Sequence, residues 1–168
     1  PNTGNLSCLI GQLYLEYGGK FLTELRGVFA ISIWDRRSKT LILATDRFGV
    51  KPFSYGATST TIVFGSQPRG ILASGRVKKA VSAVALVNYL NFTVVPAPLS
   101  AFEGITKLAP ATYLIWKEGR TQISQYWDMK YPEDANGTTK RLATELLERM
   151  EETVRVTSSD VPLSRLGC

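Results

Sequence analysis

The feature that most restricts the fold is a pair of short segments that are apolar on both sides. GVFAISIW, residues 27–34, sets Phe29, Ile31 and Ile33 on one face of an extended chain and Val28, Ala30 and Trp34 on the other. After a polar turn, DRRSK (35–39), the segment TLILAT (40–45) repeats the pattern. A strand without a polar face has no side to offer to water, so its sheet needs a layer above and a layer below. Aromatics in such strands, Phe29, Trp34 and later Phe64, are expected in the core rather than at a cofactor.

The surrounding segments supply candidates for those layers. LSCLIGQLYLEY (6–17) places Leu6, Leu9, Ile10, Leu13 and Tyr17 at helical spacing, and Gly18-Gly19 ends the helix. A turn of helix around 21–26 follows, then a hairpin from FSYG (53–56) and TIVFGS (61–66). Further helices are expected from Pro68 and over SAVALVNYL (82–90), with VPAP (95–98) held extended by its prolines. Strands are expected at 104–108, 113–116 and 121–126. MKYPEDANGTTK (129–140) reads as a linker to an amphipathic helix at 141–156, whose Leu142, Leu146, Leu147, Met150 and Val154 share a face. Glu145–Arg149 and Glu151–Arg155 are its expected ion pairs. Antiparallel hairpins between helices make this an α+β fold, with helices outside and strands within.

Composition narrows the chemistry. At 44% hydrophobic and 20% charged, the 168 residues belong to a globular chain rather than a disordered one. No apolar run is long enough to span a membrane, and no leader pattern opens the sequence. There is no histidine, which excludes imidazole catalysis and His-ligated metals within these residues. Cys8 and Cys168 are too few and too far apart for a disulfide framework, so a reducing cytoplasm is the expected compartment. The +6 charge is dispersed, with Arg76-Val77-Lys78-Lys79 its densest cluster, which argues against a nucleic-acid partner. The chain opens at Pro1 and closes on Leu166-Gly167-Cys168 while still apolar, as expected of a piece of a longer protein.

ATDRFGVKPFSYG (44–56) carries more chemistry than a plain turn needs. Asp46 and Arg47 are expected to pair with each other or with nearby backbone, and Gly49 to supply a positive φ or a close chain approach. The corner is therefore read first as a brace of the domain, and second as the border of a ligand site.

In order along the chain, FLTELRGVFAISIWDRRSKTLILATDRFGVKPFSYG, FGSQPRGILAS (64–74), VVPAPLSAFEGITKLAPATYL (94–114), Gln125-Tyr126-Trp127-Asp128 and SSDVPLSRLGC (158–168) resemble the glutamine-hydrolysing asparagine synthetases. The resemblance implies residues 1–128 as the rear of a type 2 glutamine amidotransferase domain, 129–140 as a linker and 141–168 as the start of a synthetase domain. It implies a four-layer αββα sandwich of the N-terminal nucleophile hydrolase type, followed by the first helix of an α/β ATP-pyrophosphatase-type domain. In such enzymes an N-terminal Cys attacks glutamine with its own α-amine as base. Ammonia then displaces AMP from an adenylated aspartate, with ATP and Mg held at an SGGxDS loop. Neither the Cys nor the loop lies within residues 1–168, so no catalytic or metal residue is assigned and no activity is expected of this stretch. Cys8 is read as a small helix residue and Asp160 as a brace.

Departures from the pattern bear on the parent. Leu6 stands where the resemblance implies the Asp that grips the glutamine α-ammonium, and a leucine cannot balance that charge. Thr45 replaces an Arg, Gln67 a Glu, Arg69 a Lys, and Pro110-Ala111 a Pro-Gly. Three readings follow. The first is an asparagine-synthase-type ligase acting on glutamine-derived or free ammonia, an acceptor carboxylate and ATP, with its synthetase domain as intramolecular partner. The second is a decayed amidotransferase domain kept as a scaffold. The third is a relative forming amide or β-lactam bonds on other carboxylates.

Overall fold

A computed structural model describes residues 5–131 and 137–158; Asp160 and Cys168 lie outside them. The chain divides into two compact units, residues 1–129 and residues 130–168.

In the first unit, α1 (Leu6–Tyr17) is capped by Asn5, whose side chain accepts from the Ser7 N–H. It ends at Gly18, φ +56°, and runs through a 3-10 turn into α2 (Phe21–Glu24). β1 (Ala30–Asp35) and β2 (Thr40–Thr45) form an antiparallel hairpin. Asp35 closes its turn by accepting from the Arg37 N–H and the Ser38 hydroxyl, at 2.9 and 2.8 Å. β3 (Ser54–Ala57) and β4 (Ile62–Gly65) form a second hairpin, followed by α3 (Pro68–Ala73), with Pro68 in its first turn. Ser82 caps α4 (Ala83–Phe92), and β5 (Thr106–Lys107), β6 (Thr112–Lys117) and β7 (Arg120–Gln125) complete the unit.

The strands form two antiparallel sheets, ordered β1-β2-β6-β7 and β4-β3-β5. On one face of the four-stranded sheet, Ile31 and Ala44 pack with Phe21 and Leu22 of α2 and with Ile10, Leu13 and Tyr14 of α1. On its other face, Leu41, Leu43 and Leu114 meet Phe53 and Tyr55 of the three-stranded sheet. The far side of that second sheet packs Val63 against Ile71 and Leu72 of α3. The architecture is thus mixed, with antiparallel sheets between helices.

Several expectations are corrected. β2 is buried at all six positions, but β1 is not two-sided: Trp34 is 51% exposed and Ala30 and Ser32 face outward. β1 is an edge strand, and the three-stranded sheet covers only β2 and β6 beside it. Phe64 is likewise exposed, although its ring stacks on Phe53 at 5.8 Å. The packed stripe of α1 is Ile10, Leu13 and Tyr14, with Leu6, Leu9 and Tyr17 exposed. VPAP does not run on extended: the chain turns at Ala97-Pro98, whose peptide is cis.

In the second unit, α5 (Thr139–Ser158) buries no residue, and its apolar side chains Leu142, Leu146, Leu147, Met150 and Val154 are exposed. Its ion pairs are Arg141–Glu145 and Glu152–Arg155 rather than the two expected. Glu145 reaches back to the arginine one turn before it instead of forward to Arg149. No described helix is long and apolar enough to cross a membrane.

Candidate functional site

β2 carries its last residue, Thr45, into the core and releases the chain at Asp46 into a tight corner. A buried carboxylate needs partners, and here the backbone supplies all of them. One Asp46 oxygen accepts from the N–H groups of Phe48 and Val50 at 3.0 and 3.1 Å. The other accepts from Lys51 at 3.2 Å and Phe29 at 3.4 Å. The Asp46 carbonyl accepts from Gly49 and Ala111, at 3.1 and 2.9 Å. Asp46 is only 2% exposed. Burial alone would raise its pKa, but the hydrogen bonds from Val50, Lys51, Phe48 and Phe29 outweigh it and hold the carboxyl below its ordinary value.

The neighbours lock the same corner. Gly49 has φ +63°, and a Cβ there would lie 2.9 Å from Pro110 Cγ, so both a left-handed backbone and a close approach exclude a side chain. The Thr45 hydroxyl donates to Ala109 O at 2.8 Å, which ties β2 to the approach to β6. The Tyr126 hydroxyl donates to Thr45 O at 2.8 Å, and burial, followed by the Asp46 charge, pushes that phenol up to about 12. Arg47 does not pair with Asp46. Its guanidinium donates to Thr23 O at 3.1 Å and lies over the Trp127 ring at 5.6 Å, while the exposed Phe48 meets the same ring edge-on. The Arg47 Nε is buried without a hydrogen-bond partner.

Asp46, Arg47 and Gly49 are therefore gathered into one turn, whereas Leu6 stands on another element, at the head of α1, with 69% of its surface exposed. Nothing polar in its own side chain can hold an ammonium. The Asp46 carboxylate is ionised, sealed and saturated by four N–H donors, so it suits bracing and not proton transfer. Cys8 is a free, exposed thiol two residues into α1 from Leu6. Tyr126 and Trp127, about eighty residues along the chain in the Gln125–Asp128 motif, join the corner only through the fold, and their residue types alone give no sign of it.

Two clefts flank these elements. A cavity of about 370 Å³ lies between the β3–β4 turn and residues 76–78, with Arg76 and Lys78 in its lining. A broader groove of about 880 Å³ runs between α1 and the β1–β2 turn, past Cys8, Tyr14 and Trp34. Among the described residues no group of three or more His, Cys, Asp or Glu side chains converges to hold a metal ion.

Residues 7–127 match the family model described as a glutamine amidotransferase domain. The glutamine-hydrolysing asparagine synthetase 3 of Bacillus subtilis is 28% identical over 151 residues, covering 89% of this chain and 25% of that protein. The amidase chry2 of Gibberella zeae is 32% identical over 168 residues, covering 96% of this chain and 24% of that protein. The amidase chyE of Penicillium rubens is 26% identical over 167 residues, with the same two shares of 96% and 24%. The chain spans about a quarter of the length of these curated relatives.

Proposed function

This chain belongs to the glutamine amidotransferase domain family, and from that premise we propose that it is the rear of the amidotransferase half of an ATP-dependent carbon–nitrogen ligase. The parent activates an acceptor carboxylate with ATP, and ammonia displaces AMP to form the amide. Its amidotransferase half is a helix–sheet–sheet–helix sandwich of the N-terminal nucleophile type. The two packed sheets, with α1 and α2 on one outer face and α3 on the other, support that reading. Residues 129–140 are the linker and α5 the first helix of the synthetase half. ATP and Mg belong to that half. The cytoplasm, with its reduced thiols and ATP, is the compartment for this reaction.

The reading of how the parent obtains nitrogen rests on Leu6, an exposed leucine where the resemblance implies the Asp that binds glutamine. Such a side chain leaves the α-ammonium of glutamine without its counter-charge. Loss of such a partner costs about 3 kcal/mol or more, a factor of over a hundred in binding. The parent therefore takes free ammonia in preference to glutamine. Its front domain serves chiefly to hold the synthetase half in place, which is the scaffold reading favoured by the same residue.

The test uses the natural polypeptide that contains residues 1–168, supplied with ATP and aspartate. AMP release is compared with ammonium chloride and with glutamine as nitrogen source. Ammonia-dependent turnover with little glutamate released from glutamine is expected, and Leu6→Asp should raise glutamate release more than tenfold if the nucleophile is intact. Efficient glutamine use by the wild type would overturn the reading of Leu6. No AMP release with either nitrogen source would overturn the ligase itself for this acceptor.

A further inference from the structure

We propose that the cavity between the β3–β4 turn and residues 76–78 binds a small phosphate monoester. Arg76-Val77-Lys78-Lys79 is the densest cluster of positive charge in the chain, and Arg76 and Lys78 both line this cavity. No Asp or Glu lines it; Glu103 adjoins the lining at Gly104 without entering it. The ion pairs among the described residues both lie on α5, so neither cation pairs with a carboxylate. A cleft lined by charge of one sign concentrates the opposite sign from solution.

The backbone on both rims is fixed. Between the two cations, Val77 packs into the cluster of Ile71, Leu72 and Ile105. A Cβ on Gly56 would stand 2.8 Å from Val77 Cγ2 and 3.0 Å from Gly104 O, so residues 76–78 lie directly against β3. The Arg76 N–H donates to the Ser74 hydroxyl at 3.2 Å, and that hydroxyl donates to Ile71 O at 2.6 Å. On the opposite rim the Thr58 N–H donates to Thr61 O at 2.8 Å, and the Thr58 hydroxyl accepts from the Thr61 N–H at 3.0 Å. The Thr60 and Thr61 hydroxyls also line the cavity and make no hydrogen bond among the described residues. Two hydroxyl donors are thus left beside two cations.

That donor set fits a phosphate. Arginine offers a planar fork to two oxygens of one group, lysine a compact charge, and the hydroxyls serve the remaining oxygen. A carboxylate sets one negative charge and two oxygens against these four groups, whereas a phosphate monoester carries close to two charges and three free oxygens. Val63 and Val77 give the cavity an apolar wall for the organic part of the ester. Its volume of about 370 Å³ lies within the range of small-molecule sites. The cavity shares no lining residue with Leu6 or the Asp46 corner, so the proposal stands apart from the reading of nitrogen supply.

The experiment is isothermal titration calorimetry on the natural polypeptide that contains residues 1–168, with phenyl phosphate and inorganic phosphate as probes at fixed ionic strength. The ester is expected to bind the more tightly. Arg76→Gln and Lys78→Gln should each weaken it about tenfold, the worth of one charge-assisted hydrogen bond. Thr60→Glu sets a carboxylate on the rim and should abolish binding, whereas Lys20→Gln removes a charge elsewhere and should leave it unchanged. Circular dichroism checks that each variant is folded. No binding of either probe at millimolar concentration overturns the proposal, as does binding that all three cavity variants leave intact. An equal loss in Lys20→Gln means general attraction to a basic protein and overturns it as well. Inorganic phosphate held as tightly as the ester assigns the cavity to the free ion and overturns the ester.

Discussion

At the scale of single residues, Asp46 carries the most consequence. Four backbone N–H donors, from both sides of the corner and from Phe29 ahead of β1, converge on one buried carboxylate. Asp46→Asn keeps the shape but aims an amide NH2 at donors that need an acceptor. The substitution should lower stability by about 3 kcal/mol in urea unfolding. The pH dependence follows in sign. Because the folded-state pKa lies below the ordinary 3.8, the Asp46 contribution is fully present above that value and is lost as pH falls through the lower folded value. Asp46→Asn should therefore show a shallower acid limb in its stability–pH curve. It should not show a flat one, because hydrogen bonds from Ser38 and Arg37 also hold Asp35 low. An unchanged acid limb would mean that Asp46 binds its proton equally in both states. Ala111 shows what drift does at this scale: it sits at φ +55° while its N–H serves the Asp46 carbonyl, at the position where the resemblance implies glycine. The backbone demand persists although the residue suited to it has gone.

Among the elements, β1 and β2 show how far hydrophobic pattern reaches. Both read as two-sided strands, and only β2 is. Periodicity reports which residues can be buried; which strand lies at a sheet edge depends on the order β1-β2-β6-β7, and that order is set by a pairing between residues 40–44 and 113–117. Local signals did well where the cause is local, as with the proline opening α3 and the glycine closing α1. The candidate site divides in the same way. Asp46 and Gly49 stand out in the sequence because their types suit a corner, whereas Tyr126 and Trp127 reach it only through the β6–β7 hairpin. The contrast between strands is measurable. Leu43→Ala opens a hole between the two sheets and should cost about 3 kcal/mol or more. Trp34→Ala removes a larger side chain, but one half in water, and should cost about 1 kcal/mol or less. Equal losses would mean that the outer face of β1 is covered in solution.

On the scale of the molecule, the two units differ in what holds them. The first has three apolar clusters in register with two sheets. The second consists, among the described residues, chiefly of α5, whose twenty residues bury nothing and whose stability rests on helix propensity and two exposed ion pairs. Isolated helices of this length are marginal in water, and an exposed pair contributes only a few tenths of a kcal/mol. Opening α5 therefore costs far less than unfolding β2 or β6, and amide hydrogen exchange reads that difference directly. Exchange followed by mass spectrometry should show peptides from 139–158 fully deuterated at the earliest times, while peptides from 40–45 and 112–117 stay protected until the first unit unfolds. Protection of α5 close to that of β2 would require its apolar stripe to be buried in solution. Repeating the measurement on Leu146→Glu then separates the cases: a helix that stands alone keeps its fast exchange, whereas one held by a packed face loses its protection.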